Sequence, residues 1–264
     1  MSTEAAPRRA QIDGRTLRRD RWWLSPLLTF LGLTTFLVYG LVRTASQSYY
    51  WVDSYHYLSP FASPCVSASC VPGSSHLGQW FGHFPAMIPL AIVTLPFLLG
   101  FRLTCYYYRK AYYRAFWLSP PACAVSEPHT KYTGETRFPL LLQNLHRYFF
   151  FAAVLISLVN SYDAVKAFHS PTGFGFGLGN VILVVNVVLL WAYTLSCHSC
   201  RHITAGKINH FSKHPVRYWL WQRISVLNGR HMQLAWTTLA TLVITDAYIA
   251  LVASGTITDL RFIG

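Results

Sequence analysis

Charge is scarce in this sequence, and acidic charge scarcest. Charged residues fill 12% of the 264 positions, where a soluble domain carries about 25%, and Asp and Glu together number 9. So few charges cannot cover a large aqueous surface, and 53% hydrophobic residues point to lipid as the solvent for much of the chain. No Gly-rich loop sits between a strand and a helix. Gly173-Phe-Gly-Phe-Gly-Leu-Gly179 reads as a tight turn before an apolar run, so flavin or dinucleotide binding is not expected of this chain. No internal repeat and no low-complexity tract stands out. Thr44 to His83 contains no Lys or Arg at all. The first apolar run lacks a small-residue cleavage site and is as long as a membrane span, so an uncleaved helix is expected there.

The net charge of +13 would suit nucleic acid. The basic residues fall between apolar blocks, however, and form no stripe, so no nucleic-acid partner is expected. Five apolar stretches are long enough for a hydrocarbon core of about 30 Å, which takes about 20 helical residues. They lie near 24–42, 84–108, 148–165, 181–197 and 234–252. Pro85, Pro89 and Pro96 fall in the second, where neighbouring helices can satisfy the freed carbonyls. The expected fold is all-α: a polytopic membrane protein built as a bundle of five transmembrane helices. Its organisation would be a basic tail over 1–23, the helical domain over 24–255 and an external tail over 256–264.

Every Lys and Arg except Arg43, Lys166 and Arg261 lies before the first run, over residues 102–147 from the end of the second run to the third, or between the fourth and fifth. The positive-inside rule makes those three segments cytoplasmic and places the N-terminus inside. Trp22, Trp23, Trp51, Trp80 and Tyr106-Tyr-Tyr108 stand where interfacial aromatic belts are expected. The basic loops would meet anionic membrane lipid.

Topology then sorts the cysteines. Cys65 and Cys70 fall in the outer loop, where a disulfide is expected. Cys105, Cys123, Cys197 and Cys200 fall on the cytoplasmic side, where thiols stay reduced and a cluster points to metal or redox work. Cys197-His-Ser-Cys200-Arg-His202 packs four metal-capable side chains into one short stretch. On a continuous helix Cys197 and Cys200 share one face, and His198 and His202 another. Either pair must therefore meet ligands from elsewhere, among them Cys105, Cys123, His146 and His231. A mixed Cys/His set suits zinc or a Rieske-type 2Fe-2S cluster, and a His-only set suits haem b. Asp246 lies within the fifth span and Asp163 at the outer end of the third; Asp246 reads as a proton carrier or a partner for Lys or Arg, and equally as a structural hydrogen-bond partner, and Asn160 and Asn186 as interhelical bonds.

Three stretches carry a resemblance: Cys105-Tyr-Tyr-Tyr-Arg-Lys-Ala-Tyr-Tyr-Arg-Ala-Phe-Trp-Leu-Ser-Pro-Pro-Ala-Cys123; Gln143-Asn-Leu-His146-Arg-Tyr-Phe; and Cys197-His-Ser-Cys-Arg-His202 with His214-Pro-Val-Arg and Arg230-His-Met. Over roughly 100–255 the chain resembles the membrane-anchor subunit of actinobacterial-type succinate dehydrogenase, a respiratory complex II of the bacterial plasma membrane. The resemblance implies flavoprotein and iron–sulfur partner subunits on the cytoplasmic side and electron transfer from succinate to a membrane quinone. It also implies a Rieske-type 2Fe-2S cluster in the place haem b takes in other branches. Carried over, the ligand pool is Cys105, Cys123, Cys197, Cys200, His198 and His202, with the His198/His202 pair favoured. His146 and His231 are alternate ligands or, with Arg147 and Arg230, quinone-site residues. Two other classes compete: a thiol–quinone oxidoreductase using Cys65/Cys70 and the CxxC pair, and a transporter with Asp163 and Asp246 in its path. The first needs both thiol pairs on one side, and the second lacks inverted repeats.

Overall fold

In a computed structural model, the structure describes residues 18–71, 73–74, 77–83, 94–125, 127–128, 137–171 and 173–264. Residues 84–93 of the second apolar run lie outside these, as do Arg8, Arg9, Arg15 and Lys131. The described residues form helices α1 (Leu24–Ser46), α2 (Leu95–Thr104), α3 (Tyr106–Ala115), α4 (Arg137–Lys166), α5 (Leu178–Leu195), α6 (His198–Ala205), α7 (Pro215–Asn228) and α8 (His231–Ala253). Two-residue strands β1 (Trp51–Val52) and β2 (Tyr57–Leu58) pair antiparallel, as do β3 (His169–Ser170) and β4 (Gly173–Phe174). Strand β5 (Phe176–Gly177) pairs with β6 (Arg261–Ile263) near the C-terminus. The chain is thus mostly helical, and α1, α4, α5 and α8 are long and apolar enough to cross a membrane. The α2 helix has 10 residues, too few to do so alone.

These helices follow from side chains that lose nothing in lipid. In α1 the large apolar residues Leu28, Leu31, Leu37, Val38, Leu41 and Val42 remain exposed, as a lipid-facing helix requires. Gly177 N–H donates to Asn180 Oδ1 at 2.8 Å and Gly179 N–H to Asp259 Oδ1 at 3.0 Å, so two donors that α5 cannot satisfy internally find partners.

One end of the bundle gathers the residues after α1, the β3–β4 hairpin and the C-terminus. There Tyr57 and Tyr248 hydroxyls donate to the Asp259 carboxylate at 2.7 and 2.6 Å. Cys65 and Cys70 form a disulfide at this same end, where Ser63 Oγ donates to Asp163 of α4 at 2.6 Å. The opposite, basic end gathers the C-termini of α2 and α5 and the N-terminus of α8, with His146 near the start of α4's apolar part. The α2 helix packs on α4 and α5 on α8. Gly100 makes the first packing possible, since a Cβ there would lie 2.4 Å from the Phe149 ring. Gly100→Ala is expected to force α2 off α4 at a cost of about 1–3 kcal/mol. A lower melting temperature of the purified assembly would check it, and an unchanged one would mean that the Phe149 ring yields freely.

Candidate functional site

At the basic end two helices stop at a cysteine and restart as short helices. The α2 helix ends at Thr104, and Cys105 (φ −62°, ψ 132°) is the N-cap of α3. The α5 helix ends at Leu195, and Cys197 (φ −67°, ψ 145°) is the N-cap of α6. Cys197 Sγ accepts Ser199 N–H at 3.3 Å, which places it at the positive end of α6. This differs from a continuous helix through Cys197–His202. Cys197 leaves the helical path, so it shares no helix face with Cys200.

Each of these cysteines meets a histidine from the other half of the bundle. Cys105 Sγ lies 3.2 Å from His231 Nε2, and Cys197 Sγ 2.9 Å from His146 Nε2. All four side chains are buried. Each imidazole is held at its second nitrogen by a hydroxyl: His146 Nδ1 by Thr104 Oγ1 at 2.8 Å and His231 Nδ1 by Ser196 Oγ at 2.6 Å. Those hydroxyls donate their single protons to the Gly100 and Tyr193 carbonyls, both at 2.6 Å. They must therefore accept from the imidazoles, which fixes the protons on Nδ1 and turns both bare Nε2 lone pairs toward sulfur. Neutral imidazole with a free nitrogen is the form a metal takes, and an outer hydrogen bond that fixes the tautomer is the usual support.

An aromatic layer backs the pairs. Phe101 stacks on His146 with centroids 4.9 Å apart, and Tyr193 stacks on His231 at 5.1 Å. Phe101 and Tyr193 meet edge to face at 5.7 Å. The arrangement is pseudo-twofold. Phe101-Arg-Leu-Thr-Cys105 on α2 supplies a ring and a hydroxyl to His146 and a sulfur to His231. Tyr193-Thr-Leu-Ser-Cys197 on α5 supplies a ring and a hydroxyl to His231 and a sulfur to His146.

The other candidates stand apart from this core. His198 and His202 are exposed and line an open cavity of about 850 Å3 that reaches Cys105, Cys197, His146 and His231 from outside. Arg147 lines it too and donates to His202 Nδ1 at 3.5 Å, whereas Arg230 is exposed and outside its lining. Cys200 is buried in α6, and burial raises its thiol above the ordinary value. Cys123 is exposed, and its carbonyl accepts from Arg18 Nη1 at 2.6 Å. Among the described residues no three His, Cys, Asp or Glu side chains converge as one metal-holding group. The donors come as the two crossed Cys–His pairs.

Thr104, Ser196, Phe101 and Tyr193 were not among the residues singled out from sequence. The signal was present: a hydroxyl residue directly before Cys105 and before Cys197, with an aromatic three residues before the hydroxyl.

A family model described as actinobacterial succinate dehydrogenase subunit SdhC matches residues 24–255. Among solved structures, a chain of the Mycobacterium smegmatis Sdh1 complex in the apo form is 72% identical, with a TM-score of 0.90 and 98% of each chain covered. No curated protein matches the chain.

Proposed function

The chain belongs to the actinobacterial SdhC family of succinate dehydrogenase membrane subunits, and from that premise we propose that it carries electrons to a membrane quinone through a Rieske-type 2Fe-2S cluster held by Cys105, Cys197, His146 and His231. As a member of that family it is a subunit of the succinate dehydrogenase complex. Succinate releases two electrons and two protons on becoming fumarate, and a quinone takes up two of each on becoming quinol. The observation that carries the reading is the donor set: two buried cysteines and two buried histidines whose bare Nε2 atoms face sulfur. Two Cys and two His is the complement of a Rieske centre. A bis-His haem is less well served, because each Nε2 faces a sulfur and not a common axis.

When bound, such a cluster would act as a one-electron relay. The chain's own residues do the rest. Thr104 and Ser196 hold the imidazoles by Nδ1. The α6 N-terminus holds Cys197 Sγ through the Ser199 N–H. Phe101 and Tyr193 keep water off the ring faces. The His198/His202 pair, favoured on spacing, remains the alternative ligand pair, at the rim of the open cavity.

We read the chain as crossing the bilayer five times with the N-terminus in the cytoplasm. Residues 77–83 belong to the disulfide end, where Ser67 Oγ donates to Gly82 O at 2.7 Å, and Thr104 belongs to the basic end. A helix rises 1.5 Å per residue, so the roughly 20 residues between them are enough for a passage of about 30 Å. Cytoplasmic placement of the basic end follows from the positive-inside rule. That end would face the flavoprotein and iron–sulfur subunits, with His198, His202 and Arg147 on the docking side.

Iron, acid-labile sulfide and the EPR spectrum of the dithionite-reduced complex test the proposal. A Rieske-type signal beyond those of the iron–sulfur subunit is expected. Haem bands, or an intact complex with no additional signal, would remove it.

A further inference from the structure

Only Gly229 and Arg230 separate the end of α7 from the start of α8. The Asn228 side chain, at the last position of α7, donates to Ser196 O at 2.7 Å. That bond holds α7 at the depth where α5 stops and α8 starts. The helix has 14 residues and none of them is buried. Its two sides nevertheless differ. Tyr218, Trp221, Ile224, Ser225 and Asn228 fall on one side and are half-buried. Ile224 packs on the core that contains Phe101 and Tyr193, and the Arg201 guanidinium of α6 lies 4.7 Å over the Trp221 ring. Val216, Trp219, Leu220, Arg223 and Val226 fall on the other side, within an arc of about 120°. All five are exposed, Val216 and Val226 by 69% and 68%.

A contiguous apolar stripe left this open is a contact surface. Three observations say what it contacts. The half-buried side is turned to the bundle, so the stripe points away from the bundle axis, which is the direction of lipid at this depth. Residues 198–230 contain six Lys and Arg and no Asp or Glu, so the whole segment suits the negative potential of an anionic leaflet. Finally, a cation stands inside the stripe. The Arg223 guanidinium lies 5.5 Å from the centre of the Trp219 ring and has no acidic partner among the described residues. An arginine on an apolar face buries its stem there and must bring its charged head to water or to an anion. Arg217, earlier in the helix, is already committed: it donates to Thr204 O at 2.7 Å and Gly206 O at 3.3 Å, at the C-terminal end of α6. Arg223 makes no such bond to the protein among the described residues.

We propose that the outer face of α7 seats an anionic phospholipid of the adjoining leaflet, with its phosphate on Arg223 and its upper acyl chains along Trp219, Leu220 and Val226. A guanidinium matches a phosphate in charge and in the geometry of its paired N–H donors. Trp219 is an aromatic of the kind that settles at headgroup level. The helix thus lies along the membrane surface with one side on the protein and the other in lipid. The inference uses the membrane placement read above and owes nothing to the cluster. The competing occupant of the same face is a soluble partner subunit.

The probe is phosphatidylglycerol with a photoreactive diazirine high on one acyl chain, a minor component of phosphatidylcholine nanodiscs that hold the whole complex. Adducts are mapped by peptide mass spectrometry. Label is expected on α7, at or beside Trp219 and Val226, and should fall as unlabelled phosphatidylglycerol replaces phosphatidylcholine. A complex labelled on α1 but not on α7 overturns the proposal, and so does a phosphatidylcholine probe of the same design that labels α7 equally. Arg223→Gln is expected to cut the α7 label about five-fold, the weight of one cation at an anionic surface, while label on the exposed leucines of α1 stays. Unchanged α7 label in that variant overturns the site. Arg223 and Val226 are exposed, so neither substitution disturbs the packing of α7 on the bundle. Val226→Asp sets a carboxylate in the stripe and separates the two occupants. Loss of α7 label with the flavoprotein and iron–sulfur subunits retained on size exclusion is expected. Release of those subunits, or adducts of α7 with one of them in place of lipid, assigns the face to a protein and overturns the proposal. The label is read by mass whether or not a cluster is present and whichever side the basic end occupies, so this result and the redox reading fail separately.

Discussion

Replacing Cys197 by serine is expected to abolish the additional Rieske-type signal of the complex and to reduce succinate-to-quinone turnover to background. Reduction of a soluble dye by the flavoprotein end should continue. The sulfur at 197 is the contact of His146 Nε2, and it caps α6 by accepting the Ser199 N–H. Serine keeps the cap but supplies an oxygen whose proton is not lost at neutral pH. His231→Ala should have the same consequence from the other half of the site, because His231 Nε2 faces Cys105. The hydroxyls give a graded result. Ser196→Ala and Thr104→Val each leave one imidazole without its Nδ1 partner, and such losses weaken metal retention by about 10–100-fold. His198→Ala with His202→Ala is the opposing experiment. Both residues are exposed at the cavity rim, so the double variant should keep the signal unchanged. If the double variant loses the signal while Cys197→Ser and His231→Ala keep it, the crossed pairs are not the ligands and the rim histidines are.

Sequence reading reached the neighbourhood of this site but not its pairing, for a physical reason. Hydropathy is a local property, so the runs that became α1, α4, α5 and α8 were legible, and the helices continue past the apolar stretches. The α4 helix starts at Arg137 and α8 at His231. The segregation of cysteines also followed from local charge. What could not be read was the break at Cys105 and Cys197. Neither proline nor glycine marks it; at Cys197 the sulfur caps the new helix, whereas the Cys105 side chain makes no capping bond. The face argument for Cys197–His202 assumed a continuous helix and paired His198 with His202. In the structure the histidines that meet the sulfurs are His146 and His231, far apart in sequence and brought together by packing of α2 on α4 and α5 on α8. The five-residue echo between Phe101–Cys105 and Tyr193–Cys197 is shorter than the 20–50-residue periods by which repeats are recognised. It gains meaning only once both segments are seen to present the same groups.

Asp246→Ala is expected to destabilise the assembly more than any substitution on the lipid-facing side of α1. Asp246 is fully buried in α8, and its carboxylate is saturated. Oδ2 accepts from Arg43 Nε and from the Tyr39 hydroxyl, both at 2.5 Å. Oδ1 accepts from Ser59 Oγ at 2.5 Å and Arg43 Nη2 at 3.0 Å. One side chain thus ties α1, α8 and the loop after α1 together at the disulfide end. Removing it strands the Arg43 guanidinium beside apolar helices, and breaking a buried pair from one side costs about 3–5 kcal/mol. Deleting both charges is a different matter, because apolar replacement of a buried pair is often close to neutral. Arg43→Leu with Asp246→Leu should therefore recover much of the loss. Recovery will be incomplete, since Arg43 also donates to Ser48 O at 3.0 Å and lies 4.6 Å over the Tyr50 ring. Thermal unfolding of the four variants of this cycle, followed by retention of the intact complex on size exclusion, measures the coupling. A carboxylate that shuttled protons would give another pattern: Asp246→Ala would leave the assembly intact and stop turnover. An intact, inactive Asp246→Ala complex would therefore return Asp246 to a transport role, whereas loss of assembly with recovery in the double variant fixes it as the clamp of the disulfide end.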